Sequence, residues 1–270
     1  MTKESITQII ADIQRDLPTF SLKTGTLSKF GTVNHADDEF LSYVNGVGGH
    51  YVKFLALLVK KLQFKNIVEL GNREGISTLA IYDQLPQDSR FSTIDILDDV
   101  RYCPDAMFDD KRVSFIIGDV CDIEVLNKLQ PDIDLLFSDT IHFDFQIRDE
   151  FSIYQHLLAD TALVAIDDIH TNDKGIFWDQ LTYDKWDLTE LCHVSGWGLF
   201  LFKRKISTPQ QDRWLKAVSA AASIWQRKYE ELHSEKVSSE NKSFKQRAKR
   251  QLAKFPLLYT SLVKMKNILS

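Results

Sequence analysis

The chain of 270 residues has few cysteines and no long apolar run, and both absences narrow its class. Its three cysteines, Cys103, Cys121 and Cys192, lie far apart and form no CxxC pair, which excludes a zinc site built from cysteines. No apolar run approaches the length needed to span a bilayer, and residues 1–19 lack the apolar core of a signal peptide. We therefore expect a cytoplasmic protein in a reducing compartment.

Acidic residues are missing from one end of the chain. Residues 242–270 contain eight Lys and Arg and no Asp or Glu, whereas the remainder has 25 basic against 38 acidic residues. The net charge of −5 excludes a general nucleic-acid binder. Apolar residues at helical spacing run through this basic tail, which leaves two interpretations open. The tail is either a peripheral helix on an anionic membrane surface, at its inner face, or a helix that packs on the acidic body or on a second copy in a homo-oligomer.

Strand-like and helix-like segments alternate through the middle of the chain. Apolar strands are predicted at 66–70, 91–96, 113–117, 133–138 and 163–166, with helices at 76–85, 103–110, 123–129 and 144–158. These strands are apolar on both faces, which is typical of buried parallel strands. Segments 188–194 and 198–203, joined by a short turn, indicate a terminal hairpin. The pattern predicts an α/β, Rossmann-like, doubly wound seven-stranded sheet with an antiparallel last strand.

The same pattern divides the chain into four parts. Residues 1–49 are predicted to form an N-terminal helical segment that includes a lid, and residues 50–205 to form the sheet domain. Residues 206–233 are predicted to be an amphipathic helix, because Trp214, Val218, Ala221 and Trp225 recur at helical spacing. Residues 234–270 are predicted to be a linker followed by the basic tail.

The stretch NIVELGNREGIST, residues 66–78, joins the first predicted strand to a helix through Gly71 and Gly75. Tight turns of this kind need glycine, and open parallel sheets bind ligands beyond the carboxyl ends of their strands. Arg73 occupies the second glycine position of the dinucleotide fingerprint, and the Gly-Lys-Ser/Thr of a P-loop is absent. The acid Glu69 suits a ligand with an ammonium group or hydroxyls. The alternative is an ordinary strand–helix turn.

The motif E-x-G-x-x-x-G-x-S-T in this stretch resembles motif I of class I S-adenosylmethionine-dependent methyltransferases. It is most similar to the branch with small-molecule and sugar O-methyltransferases and cephalosporin-hydroxylase-like proteins. The resemblance covers about residues 50–203 through further strand-end motifs: T-I-D at 93–95, I-G-D at 117–119, S-D-T-I-H at 138–142 and A-I-D-D-I at 165–169. The chain departs from the family where Asp160 and Thr161 replace a usual Gly-Gly, and where Arg73 and Glu74 enlarge the loop.

The resemblance implies S-adenosylmethionine as the cofactor and methyl transfer to a hydroxyl of a small molecule or glycan. It places Asp95 at the ribose hydroxyls and Asp119 at the adenine. The residues expected to bind the cofactor are Glu69, Gly71, Asn72, Gly75, Ser77, Asp95, Asp119 and Asp139. On position in the sequence alone, Asp95 and Asp119 also suit turns or helix caps.

Methyl transfer needs a positioned nucleophile and removal of its proton, and two routes fit the residues that end the fourth and fifth strands. In the first, His142 is the general base beside Asp139 and Asp168. In the second, which resemblance to metal-dependent O-methyltransferases favours, Asp139 and Asp168 bind Mg²⁺ or another divalent cation. His170 is taken as the third metal ligand, with Asp167 and Asn172 as alternatives. The structural alternative is that these residues only cap helices.

Two rival functions remain open at this stage. One is a hydroxylase-like enzyme of the same fold, and the other is a non-catalytic scaffold that retains the cofactor site. The aromatic residues after the fifth strand form either one wall of an acceptor pocket or a helix packed on the sheet; they are Phe177, Trp178, Tyr183 and Trp186.

Overall fold

The computed structural model describes residues 1–22, 50–100 and 102–237, with side chains described up to residue 230. The helices are α1 (Lys3–Asp16), α2 (His50–Leu62), α3 (Ile76–Asp83), α4 (Asp105–Phe108), α5 (Ile123–Leu126), α6 (Asp144–Tyr154), α7 (Lys174–Gln180) and α8 (Gln210–Val237), with a 3₁₀ turn at Leu17–Thr19. The strands are β1 (Asn66–Leu70), β2 (Arg90–Asp95), β3 (Val113–Ile117), β4 (Ile133–Ser138), β5 (Leu158–Asp167), β6 (Asp184–Asp187) and β7 (Trp197–Lys203).

The seven strands form one sheet in the order β3-β2-β1-β4-β5-β7-β6. Strands β1 to β5 are parallel, whereas β7 runs antiparallel to β5 and to β6. The predicted doubly wound sheet with an antiparallel last strand is confirmed. The order reverses between β1 and β4, which is the position where open sheets of this type bind ligands.

Alternating strand residues face two separate cores. On one face, Leu135 and Phe137 pack with α1, α2 and α3, and all residues of α2 from Val52 to Val59 are buried. On the other face, Leu136 and Val164 pack with α6 and α8. Burial of strand side chains on both faces explains the continuous apolar runs in the sequence.

The C-terminal helix is present, and its buried face overlaps the predicted stripe at Ala221 and Trp225. Its buried residues are Arg213, Ala217, Ala221, Ile224 and Trp225, whereas Trp214 and Val218 are only half-buried. None of the helices in the described ranges has an apolar stretch long enough to cross a bilayer. Residues 23–49 of the helical and lid segment predicted at 1–49, and the basic tail at 242–270, lie outside the described residues.

The predicted sixth strand at 188–194 is wrong. Strand β6 is Asp184–Asp187, and residues 188–196 form a loop. The Cys192 N–H donates to the Leu188 carbonyl at 2.8 Å, and both side chains are buried. Apolar residues four positions apart face the same side of a helical turn, so the segment lacks the alternation that a strand requires.

Candidate active site

The carboxyl ends of the parallel strands bring the predicted site residues to one edge of the sheet. The strands lie in the order β3-β2-β1-β4-β5. The residues that follow them therefore lie along this edge in the spatial order Asp119, Asp95, the loop at 71–75, Asp139, and the pair Asp167 and Asp168. Neighbouring strands lie about 4.8 Å apart, so the three steps from β3 to β4 span about 14 Å. The row of residues is therefore long enough for an extended ligand.

The two glycines of the loop are required by the packing of its backbone. Gly71 has φ +83°, and a Cβ there would lie 2.1 Å from the Asp139 carbonyl oxygen. Gly75 has φ +90° at the start of α3, and a Cβ there would lie 2.5 Å from Cys103 Sγ. Close packing thus explains both glycines without a ligand. A substitution at Gly71 is therefore expected to disturb the fold, so loss of cofactor binding in such a variant would not show that Gly71 contacts the cofactor.

Asp95 clamps this loop to the end of β2. Its Oδ2 accepts hydrogen bonds from the Asn72 N–H at 3.0 Å and the Arg73 N–H at 2.7 Å. Its Oδ1 accepts from the Leu97 N–H at 2.8 Å. A carboxylate offers about four acceptor positions, so Asp95 keeps capacity for a ligand hydroxyl. Beside it, Asn72 Oδ1 is buried without a hydrogen-bond partner among the described residues.

Glu69 lies beneath the loop. Its carboxylate is fully buried and accepts hydrogen bonds at 2.6 Å from the hydroxyls of Ser77, Thr78 and Thr93. Burial raises the pKa of Glu69 to about 7, against the effect of these hydrogen bonds. Glu69 and Ser77, both predicted to bind the cofactor, bond each other here, so the structure gives them a supporting position below the loop.

Asp119, predicted to bind adenine, contacts the C-terminal helix. Its Oδ1 accepts from the Cys121 N–H at 2.9 Å, and its Oδ2 lies 3.3 Å from Lys228 Nζ of α8. The side chain is 15% exposed. This position is close to the end of β3, where Gly118 N–H donates to the Asp95 carbonyl at 2.8 Å.

His142 and Asp168 form the closest pair of the predicted catalytic residues. His142 Nε2 lies 2.8 Å from Asp168 Oδ2 and 3.9 Å from Asp139 Oδ1. His142 is about one third exposed, whereas Asp168 is mostly buried. Asp168 has φ +56°, a left-handed conformation that is strained for a residue other than glycine. Strain of this kind is concentrated at functional sites.

The surroundings of Asp139 disfavour its charged form. Burial, followed by the charge of the Asp167 carboxylate, raises the pKa of Asp139 well above its ordinary value, while the Lys174 ammonium opposes the shift. Lys174 is 1% exposed, and its Nζ has no hydrogen-bond partner among the described residues. Excess negative charge at this edge favours a cation or a positively charged ligand.

Two groups in the described part of the chain have the ligand types and proximity that a divalent cation needs. In Asp139, His142 and Asp168, and likewise in Asp167, Asp168 and His193, the potential ligand atoms lie within 4.8 Å of one another. Carboxylate oxygens together with imidazole nitrogen suit Mn²⁺, Fe²⁺ or Zn²⁺ as well as Mg²⁺.

His170, the predicted third ligand, belongs to neither group. Its Nε2 lies 3.1 Å from Asp187 Oδ2 at the end of β6. Asp168, two residues before His170, has a left-handed backbone conformation, and His142 completes the group that contains Asp139 and Asp168. The alternative Asn172 is exposed, whereas Asp167 is buried and bonds His193.

Sequence analysis missed His193, which the loop at 188–196 carries to the end of β5. His193 Nε2 lies 2.6 Å from Asp167 Oδ1, and its Nδ1 lies 2.7 Å from Ser195 Oγ. The Tyr51 ring packs edge-on against the imidazole, with centroids 5.1 Å apart. The hydrogen bond to Asp167 raises the pKa of His193. Nothing in the sequence indicated that His193 lies at this edge, because the segment 188–194 was predicted to be a strand.

The aromatic residues after β5 pack on the sheet. Phe177 and Trp178 are buried, and Tyr183 stacks on Phe200 with centroids 5.3 Å apart. Trp186 donates its indole N–H to Thr7 of α1 at 3.1 Å. These contacts favour the packing interpretation over a wall of an acceptor pocket.

The sequence profile of a family described as O-methyltransferase matches residues 36–186, more than half of the chain. Among solved structures, a methyltransferase from Podospora anserina, bound to S-adenosylhomocysteine, is similar with a TM-score of 0.52. The two are 13% identical, and the match covers 76% of this chain and 97% of that protein. The O-methyltransferase TomG from Streptomyces achromogenes, in complex with S-adenosylmethionine, matches at 20% identity with a TM-score of 0.47, covering 67% and 91%. No curated protein matches this chain significantly.

The chain belongs to the O-methyltransferase family. The predicted enzyme class, an S-adenosylmethionine-dependent methyltransferase, is confirmed by this family membership. The acceptor and the way in which its hydroxyl is activated are considered next.

Proposed function

We propose that the enzyme methylates a hydroxyl of a small molecule or glycan, with His142 as the general base. The observation that carries this proposal is the 2.8 Å contact between His142 Nε2 and Asp168 Oδ2. If Nε2 donates to this carboxylate, the lone pair of Nδ1 is left to accept a proton, and the tautomer is assigned from that bond. Asp168 then orients the ring and stabilises the charge that it gains.

The cofactor is proposed to lie along the carboxyl edge, with its adenine towards Asp119, its ribose towards Asp95 and its methionine part above the loop at 71–75. The observations that support this fit are the spare acceptor capacity of Asp95 and the unpartnered Asn72 Oδ1. When bound, S-adenosylmethionine supplies an electrophilic methyl group. Asp139 and His142 then lie at the next strand, beside the methionine end.

The second route uses a divalent cation held by Asp139, Asp168 and His142 in place of His170. A cation there would lower the pKa of the acceptor hydroxyl. This route uses His142 Nε2 as a metal ligand, whereas the general-base route uses Nε2 as a donor to Asp168. The two routes therefore make opposite predictions for the effect of chelators.

A methyl-transfer screen tests the proposal. Wild-type protein is incubated with S-adenosylmethionine and a panel of phenols, catechols, free sugars and lipid-linked sugars, and S-adenosylhomocysteine is measured. We expect turnover that EDTA leaves unchanged and that His142→Gln lowers about 100- to 10,000-fold, the usual contribution of a general base. Loss of turnover with EDTA and recovery with Mn²⁺ would replace the general-base route with the metal route.

Calorimetry with S-adenosylhomocysteine separates the remaining rivals. The scaffold would be favoured if the wild-type protein binds the cofactor, methylates no acceptor, and keeps the same cofactor affinity in the His142→Gln variant. Oxygen consumption with Fe²⁺ and no methyl transfer would favour hydroxylase-like chemistry.

The basic tail is proposed to bind anionic membrane surfaces, so anionic liposomes should retain the full chain and not a 1–240 truncation. Equal retention of both would contradict the membrane proposal.

A further inference from the structure

Helix α8 lies beyond the region that matches the O-methyltransferase family, yet it reaches the carboxyl edge of the sheet. The family match ends at residue 186, and α8 begins at Gln210. Lys228 of this helix places its Nζ 3.3 Å from Asp119 Oδ2. A segment outside the family match thus contacts a predicted cofactor residue.

The position of Lys228 is fixed by neighbouring contacts of the same helix. The Trp225 indole N–H donates to the Cys121 carbonyl at 3.1 Å, and Trp225 is 3% exposed. Lys228 Nζ lies 5.3 Å from the centroid of the Trp225 ring, within the range of a cation–π contact. Arg227 forms a separate ion pair with Asp149 of α6. The helix is therefore tied both to the loop after β3 and to the body of the sheet domain.

Asp119 needs an opposite charge in this location. With only 15% of its side chain exposed, its carboxylate has lost most of its water. Burying a charge without a partner is costly, and Lys228 supplies the partner. In the described part of the chain, Asp119 accepts hydrogen bonds from the Cys121 N–H and from Lys228. A carboxylate has about four acceptor positions, so the pair leaves capacity for a further donor.

We propose that Lys228 is a positioning residue that orients the Asp119 carboxylate to accept a hydrogen bond from the 6-amino group of adenine. This inference rests on the proposed placement of the cofactor, in which the adenine lies beyond β3. Helix α8 then completes the adenine end of the site and contributes to its preference for adenine over other nucleobases.

Removal of the Lys228 ammonium should weaken binding only of ligands that have the amino group. Lys228→Met keeps much of the apolar stem on Trp225 and removes the charge. Asp119 is then buried without its partner, and its bond to the ligand amine is lost or weakened. A hydrogen bond to a charged acceptor corresponds to about tenfold or more in affinity.

The test is isothermal titration calorimetry with two probes, S-adenosylhomocysteine and S-inosylhomocysteine, in which a carbonyl replaces the 6-amino group. We expect wild-type protein to bind the inosyl compound about tenfold more weakly, since its donor is absent. Lys228→Met should weaken binding of S-adenosylhomocysteine by about tenfold and leave the inosyl compound unchanged. Asp119→Asn should also weaken binding of S-adenosylhomocysteine, but it should strengthen binding of the inosyl compound, because the asparagine amide can donate to the 6-carbonyl. Arg227→Met is the matched control, because it removes the neighbouring ion pair of the same helix without touching Asp119, and it should bind both probes as wild type does.

Two kinds of result overturn the inference, and a third contradicts the proposed function on which it rests. Unchanged or tighter binding of S-adenosylhomocysteine to Lys228→Met would show that the lysine is irrelevant to adenine or competes with it. Equal losses for both probes, or the same loss in Arg227→Met, would show that the helix acts only by stabilising the fold. Wild-type protein that binds neither probe would instead contradict the proposed function itself.

Discussion

The buried carboxyl of Glu69 predicts a dependence of stability on pH that one substitution should remove. Its pKa is about 7 in the folded protein against an ordinary 4.5, because burial disfavours the charged form. Each pKa unit corresponds to about 1.4 kcal/mol, so the difference corresponds to about 3 kcal/mol in the free energy of unfolding. Since the folded state binds this proton more tightly, the stabilisation is fully present below pH 4.5 and is lost as the pH rises through about 7.

The substitution Glu69→Gln removes the titrating group and keeps the shape of the side chain. Urea unfolding of both proteins at pH 5, 6, 7 and 8 gives the difference in their free energies of unfolding. We expect this difference to move in favour of the variant by about 2 to 3 kcal/mol between pH 5 and pH 8. Glu124→Gln, at an exposed position of α5, is the control and should show a constant difference. A constant difference for Glu69→Gln as well would refute the reasoning.

Substitutions at four further positions test other parts of the account. Gly75→Ala should lower the free energy of unfolding by about 1 to 3 kcal/mol, because φ is +90° and its Cβ would meet Cys103 Sγ. Adding Cys103→Ala should restore part of that loss in urea unfolding, and no recovery would contradict the contact. His193→Ala should lower methyl-transfer turnover about 10- to 100-fold, as loss of a residue supporting a site carboxylate usually does, without changing S-adenosylhomocysteine affinity. His193→Gln should retain more turnover; equal turnover in both variants and wild type would count against a supporting role. Trp225→Phe should lower the free energy of unfolding by about 1 kcal/mol, since the bond to the Cys121 carbonyl is lost, and an unchanged urea midpoint would contradict this.

The local sequence predicts the parallel strands well, because apolar runs such as 133–138 are buried on both faces and can hardly form anything else. It also predicts that Asp95, Asp119 and Asp139 share one edge, which follows from the topology of parallel strands. The strand predicted at 188–194 is wrong because Leu188 and Cys192, four positions apart, are buried together in a helical turn.

The pairing of individual side chains could not be predicted from local sequence. Asp167 and Asp168 are adjacent, yet the left-handed conformation of Asp168 accompanies a turn in which one carboxylate meets His193 and the other meets His142. The contact of Lys228 with Asp119 joins residues 109 positions apart. Such contacts depend on tertiary packing, which no local pattern encodes.

The central claim is that S-adenosylmethionine binds along the carboxyl edge of the sheet, and hydrogen–deuterium exchange with and without S-adenosylhomocysteine tests it most directly. The account predicts slower exchange in the ligand complex for the amides of residues 71–77, 95–98 and 118–121, and no change in β6 at Asp184–Asp187. Slower exchange confined to other segments, or identical exchange throughout at saturating ligand, would contradict it.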